Sequence, residues 1–83
     1  MTVRVHLFAR ARDLAGVDAI DVSLPAGATV ADVRRTLIEV QPRLRELLGR
    51  CAITVNEDFA EDEVILNDAN EIAVIPPVSG GSR

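Results

Sequence analysis

Leu24-Pro25-Ala26-Gly27-Ala28-Thr29-Val30-Ala31-Asp32-Val33-Arg34-Arg35-Thr36-Leu37, "LPAGATVADVRRTL", carries the change from strand to helix on which the fold turns. Pro25 and Gly27 end an extended segment, since proline offers no N–H to a ladder and glycine eases the turn. Thr29 stands where an N-cap belongs. Asp32, three residues on, supplies the acidic first turn of a capping-box-like start. Val30, Val33, Leu37 and Val40 then recur on one helical face, with Arg34, Arg35 and Glu39 elsewhere. Pro42 stops this helix, because it cannot donate to the ladder and it restricts Gln41 before it.

On the N-terminal side, Ile20, Val22 and Leu24 alternate with polar neighbours. Val3, Val5 and Leu7 do the same against Arg4, His6 and Phe8, the period of a strand with one buried face. Gly16-Val17-Asp18 is a turn signal, so the two strands read as a hairpin with a loose connection of about ten residues. On the C-terminal side, "RLRELLG" is a short helical turn whose Leu44, Leu47 and Leu48 close one end of the core. Ile53 and Val55 mark a third strand, ended by Asn56-Glu57-Asp58. Phe59 and Val64-Ile65-Leu66 are short extended pieces around the turn 67–70. Residues 71–75 form a last strand, with Ile72 and Val74 on one face and Ala73 and Ile75 on the other. Pro76-Pro77 terminates it. The order implies an α+β domain, a mixed sheet with one main helix packed on one face. The strands flanking that helix are expected to pair in the middle of the sheet.

The chain has 83 residues, enough for one small domain, read as 1–77, with an extended C-terminal tail over 78–83. Its 48% hydrophobic content excludes an intrinsically disordered chain. Phe8 and Phe59 are the only aromatic residues, so the core must be aliphatic. All nine basic residues are arginine against 13 acidic ones, a net charge of −4. With no basic cluster beyond Arg34-Arg35 and no aromatic stacking platform, nucleic acid is not an expected partner. No apolar run reaches the ~20 residues of a membrane span. The start, "MTVRVHLFAR", lacks the layout of a signal peptide, so the cytoplasm is the expected compartment.

Few residues offer chemistry of their own. Cys51 is the lone cysteine; its sequence neighbours supply one arginine, and it reads as a small residue entering a strand. His6 falls on the polar side of the first strand with no second ligand nearby, so no metal is expected. The acidic run from Glu57 to Glu63 lacks the spacing of a calcium loop and reads as solvated charge. The tail is different. Gly80 and Gly81 have no side chains and can thread a narrow channel, while Pro76 and Pro77 keep the preceding segment extended. A carboxylate on Gly81 becomes an acyl donor once adenylylated by ATP, and a sulfur nucleophile can then displace AMP to leave a thiocarboxylate.

"VRVHLFARARDLAG" (Val3 to Gly16), "LPAGATVADVRRTL" (Leu24 to Leu37), "AITVNED" (Ala52 to Asp58) and "NEIAVIPPVSGG" (Asn70 to Gly81) together resemble the small subunit of molybdopterin synthase. This is a ubiquitin-like sulfur carrier of the β-grasp fold. The resemblance spans essentially the whole chain, and its last stretch is the most specific. It implies a non-catalytic, sulfur-donating subunit with no bound cofactor. Its Gly81 would be activated with ATP by an adenylating enzyme related to ubiquitin-activating enzymes. A sulfurtransferase fed by a cysteine-desulfurase-type donor would then supply the sulfur. Pro76, Pro77, Val78, Ser79 and Gly80 would enter the large subunit, where cyclic pyranopterin monophosphate receives the sulfur. Two small subunits would join a dimer of large ones. Phe8, Phe59 and Ile75 match the apolar partner surface of the family, and Arg12 a basic position near the tail. Carriers for thiamine, cysteine or tRNA thiolation would use the same terminus, and a ubiquitin-like binding module with a tail never activated is a further alternative.

The chain departs from the family pattern twice. The usual Gly-Asp-Glu before the last strand is replaced by Ala69-Asn70-Glu71, where Asn70 is expected to take the left-handed conformation. Ser82 and Arg83 follow Gly81, so its carbonyl is an amide. Activation requires a form that ends at Gly81, by peptidase action or because those residues are foreign to the working protein.

Overall fold

The structure is a computed structural model, and it describes residues 1–77; the expected tail, 78–83, lies outside the described residues. Strand β1 (Thr2–Leu7) leads into helix α1 (Ala9–Ala15), and β2 (Ala19–Ser23) returns beside β1. Helix α2 (Val30–Val40) is followed by a 3₁₀ turn (Pro42–Leu44) and helix α3 (Arg45–Leu48). Strands β3 (Ala52–Val55), β4 (Asp58–Phe59) and β5 (Ile72–Ile75) complete a five-stranded sheet in the order β2-β1-β5-β3-β4. This is the α+β, β-grasp architecture that the resemblance implies.

The centre of the sheet corrects the sequence expectation. The strands that flank α2 do not pair with each other; β2 lies at an edge, and β3 is next to the other edge. The middle is instead the parallel pair of first and last strands, with Val5 opposite Ile72, His6 opposite Ala73 and Leu7 opposite Val74. The physical reason is burial on both flanks. β1 and β5 each alternate fully buried Val or Ile with smaller or polar residues, so their apolar rows share one face beneath α2. The β1–β2 hairpin is present, antiparallel from Thr2–Ser23 to His6–Ala19.

A helix occupies the segment read as a loose connection. Phe8, extended, precedes α1, and its carbonyl accepts the N–H groups of Ala11 at 3.0 Å and Arg12 at 3.4 Å. Ala9 turns the chain with φ of 51°, and Gly16 closes the helix at φ of 78°, its N–H reaching the Arg12 carbonyl at 2.9 Å. No capping side chain announces this helix, and only Ala11 in it is fully buried.

The α2 start follows its sequence. The Asp32 carboxylate accepts the Thr29 N–H at 2.9 Å and pairs with Arg35. Val30, Val33 and Leu37 are buried, whereas Val40 is 51% exposed, because the helix ends there and turns away before Pro42. Arg34, read as a polar-face residue, is a hub. Its Nε donates to Asp62 at 2.9 Å and its Nη1 to the Leu48 carbonyl at 2.6 Å, tying α2 to α3 and to the acidic run. Backbone bonds from Val30 to Val64 and from Ala31 to Asp62, both at 3.1 Å, fasten the same segment across the helix start. Asn70 is not left-handed; its side chain instead accepts the Asn67 N–H at 2.7 Å, closing the turn with an ordinary φ. The buried core is aliphatic throughout, with Leu7, Leu37, Leu44, Leu48, Ile53 and Ile72 its largest members.

Leu37→Ala is expected to lower stability by about 2–5 kcal/mol in urea titration, since it empties a fully buried site between helix and sheet; a change below about 1 kcal/mol would mean that the core collapses around the gap. The backbone N–H of Thr29, then Arg35, hold the Asp32 carboxyl below its ordinary pKa. A carboxyl lowered in the folded state stabilises above its unfolded pKa, and that contribution is lost as pH falls through the folded value. Asp32→Asn should therefore melt below the parent at neutral pH, and the difference should shrink in acid. A difference that is constant with pH would contradict the charge-based cap.

Candidate functional site

The parallel pairing of β1 and β5 decides where the chain leaves the sheet. Both strands end at the same side, so Phe8, the turn into α1 and the Ile75-Pro76-Pro77 exit are brought together. Phe8 and Ile75 directly follow the Leu7–Val74 pair, and Ile75 lies opposite Ala52. One row further along, His6, Ala73, Thr54 and Phe59 stand side by side across four strands. Their neighbours Val5, Leu7, Ile72, Val74 and Ile53 are buried under the helix, so this row faces the other way. The outer face thus carries Phe8 at 47% exposure and Phe59 at 77%, with Ile75 half-buried between the strands that bear them.

The structure accordingly brings Phe8, Phe59 and Ile75 onto one surface, as the out-of-phase apolar residues of the strands. Arg12 is exposed on α1, the helix that begins where β5 ends. Pro76 and Pro77 continue from β5, half-buried and exposed respectively. Val78, Ser79, Gly80 and Gly81 lie outside the described residues.

Sequence reasoning missed a depression in this face. It is lined by His6, Phe8, Thr54, Glu57, Glu71, Ile72 and Ala73, with a volume of about 150 Å³. Two hydrogen bonds build its rim: the Asn56 N–H donates to the Glu71 carbonyl, and the Glu71 N–H to Asn56 Oδ1, each at 2.8 Å. They lock the β3–β4 turn onto the start of β5. Asn56 and Glu57 both sit at positive φ, 52° and 73°, in the turn that Asn56-Glu57-Asp58 marks in the sequence.

Cys51 lies buried just before β3, and its thiol donates to the Leu47 carbonyl at 3.2 Å. Burial pushes the thiol pKa up, against the smaller opposing pull of Arg34 and Arg50, which disfavours the reactive thiolate. Among the described residues, no group of three or more His, Cys, Asp or Glu could hold a metal ion. No helix among them is long and apolar enough to cross a membrane.

Known proteins resemble this chain over nearly its whole length. The molybdopterin synthase sulfur carrier subunit of Arabidopsis thaliana is 37% identical over 79 residues, covering 95% of this chain and 82% of that protein. The crystal structure of SAMP1 from Haloferax volcanii is 27% identical with a TM-score of 0.89, covering 98% of this chain and all of that one. A chain in the complex of subunits 1 and 2 of molybdopterin-converting factor from Helicobacter pylori is 26% identical with a TM-score of 0.70, again over 98% of this chain and all of that one. The ThiS family model matches residues 5–81, so its match runs through β1, the helix and sheet, and the glycine pair. A β-grasp domain whose last strand runs into Pro76-Pro77, with an exposed Phe8 at the same end of the sheet, fits this match, and the chain belongs to the ThiS family.

Proposed function

We propose that this chain is the sulfur-carrier subunit of a molybdopterin synthase, a donor of sulfur with no catalytic centre of its own. The observation that carries this reading is the 37% identity to such a subunit over 95% of the chain, in a fold whose last strand ends at Pro76-Pro77 beside an apolar surface. The Gly81 carboxylate, in a form free of Ser82 and Arg83, attacks the α-phosphorus of ATP on an adenylating enzyme. Pyrophosphate leaves, and the acyl group is left on AMP. A persulfide on the sulfurtransferase displaces AMP to give an acyl disulfide, and a thiol then attacks its enzyme-side sulfur, releasing the thiocarboxylate and leaving a disulfide on the donor. Pro76 to Gly80 then thread into the large subunit, where the sulfur passes to cyclic pyranopterin monophosphate. Two transfers complete the dithiolene, and the working assembly is a heterotetramer in the cytoplasm. This chain binds no cofactor, and ATP belongs to the activating enzyme.

Phe8, Phe59 and Ile75 are the partner surface in this reading. They offer apolar area on the face opposite α2, and exposed aromatic anchors carry a large share of binding energy when they are covered. Arg12, exposed on α1, is the basic group that meets an acidic partner group in this reading. The likeness to SAMP1, a protein named as a small archaeal modifier, favours a second reading in which activated Gly81 is passed to a protein amine. The two share the adenylylation step and differ in the acceptor. With no lysine in the sequence, this chain offers no side-chain amine to copies of itself.

A form ending at Gly81, incubated with an adenylating enzyme, ATP and a sulfur source, should gain the mass of one oxygen replaced by one sulfur. The 83-residue form should stay unchanged until a peptidase is supplied. Unchanged mass of the Gly81 form would end the carrier reading, and activation of the uncut chain would contradict the role of Gly81. Phe8→Asp and Phe59→Asp should each weaken binding to the large subunit by about tenfold or more, with melting temperature nearly kept, because both side chains are exposed. Unaltered affinity in titration calorimetry would remove these residues from the interface.

A further inference from the structure

We propose that the depression between Phe8, Thr54, Glu57 and Glu71 is a seat for one arginine side chain of the protein that docks on this face. Its volume of about 150 Å³ is well below the roughly 300 Å³ at which small-molecule clefts begin, and suits a single side chain. Four features select a guanidinium. Glu57 and Glu71 stand on the same rim, held there by the paired hydrogen bonds between Asn56 and Glu71, and neither makes an ion pair among the described residues. The nearest arginine on the same face of β1, Arg4, is engaged with Asp21 at 2.9 Å. Thr54, 9% exposed, lies on the floor and offers a hydroxyl-bearing side chain to the lining. Phe8 supplies a half-exposed aromatic wall.

A planar group with five donors satisfies this set together. It can bridge two carboxylates, donate to the Thr54 hydroxyl and lie against the Phe8 ring, while its methylene stem crosses Ala73. A neutral or acidic side chain docked there would cover the two rim carboxylates without compensating their charge. Glu57 also holds a left-handed φ of 73°, where glycine would be easier. A carboxylate kept at that position at the expense of backbone strain is in keeping with a role for the carboxylate itself.

The identity of the docking protein as the large synthase subunit rests on the sulfur-carrier reading; the chemistry of the seat does not. Two arms keep them apart. In the first, the form ending at Gly81 is titrated with the large subunit in parent, E57Q/E71Q and E57G versions. The double variant should lose about tenfold or more in affinity, and the loss should shrink at high salt. E57G should melt at or above the parent, its backbone relaxed, and still bind more weakly. Parent-like binding by both variants would overturn the proposal. In the second arm, backbone amide shifts are followed while N-acetyl-arginine amide is added, with the neutral isostere N-acetyl-citrulline amide as control. Shifts centred on Phe8, Thr54 and Ala73 with arginine only, and abolished in E57Q/E71Q, support the seat. Equal shifts with citrulline, or none with arginine, overturn it. Failure of the parent to bind the large subunit would count against the carrier reading, and the arginine arm then decides the seat alone.

Discussion

The parallel ladder between β1 and β5 is the constraint from which the rest follows. Three register pairs join the first strand of the domain to the last, across nearly the whole chain. A parallel pair cannot be closed by a hairpin, so the intervening segment has to cross over, and α2 provides the crossover that buries the sheet. The same pairing sends both strands out at one end. Phe8 and the start of α1 are therefore neighbours of the exit at Ile75, Pro76 and Pro77. A carrier that must present its terminus and its recognition surface together obtains both from this one ladder.

Two faces of the sheet divide the labour. The inner face, with Val5, Leu7, Ile53, Ile72 and Val74, is fully covered and supplies the stability of a small aliphatic domain. The outer face has little to bury it, and there the chain keeps its two phenylalanines. Between them lies the depression rimmed by Glu57 and Glu71. Among the described residues no group of three or more His, Cys, Asp or Glu could hold a metal ion, and the lone Cys51 is buried with its thiol pKa raised. In the proposed reading, chemistry at the terminus comes from partner enzymes and the folded part supplies recognition.

Much of this was legible in the sequence. The alternation of Val3, Val5 and Leu7 marks the strand, and Thr29 with Asp32 marks the helix start, because each signal is local. Phe8 and Ile75, out of phase with their strands, mark the outer face for the same reason. Sheet order was not legible, since nothing in β2 or β3 states which strand lies beside it. Helix α1 was hidden because a carbonyl caps its start and Ala9 makes the left-handed turn, and neither leaves a sequence mark. Val40 continues the apolar period past the point where the helix has anything to pack on. The arginine seat was hidden for another reason. His6, Thr54, Glu57 and Glu71 come from two strands, a turn and the residue just before β5, and only the tertiary register brings them together.

The central claim is that Gly81 delivers sulfur to a pterin through the large subunit. Its most direct test is a single-turnover transfer. Chemically prepared thiocarboxylate ending at Gly81 is mixed with the large subunit and cyclic pyranopterin monophosphate, and both carrier mass and pterin product are followed. Return of the carrier to its carboxylate form, with two carriers consumed for each dithiolene formed, is the result expected. A thiocarboxylate that survives contact with pterin and large subunit, while sulfur or the acyl group passes to some other acceptor, would contradict the account.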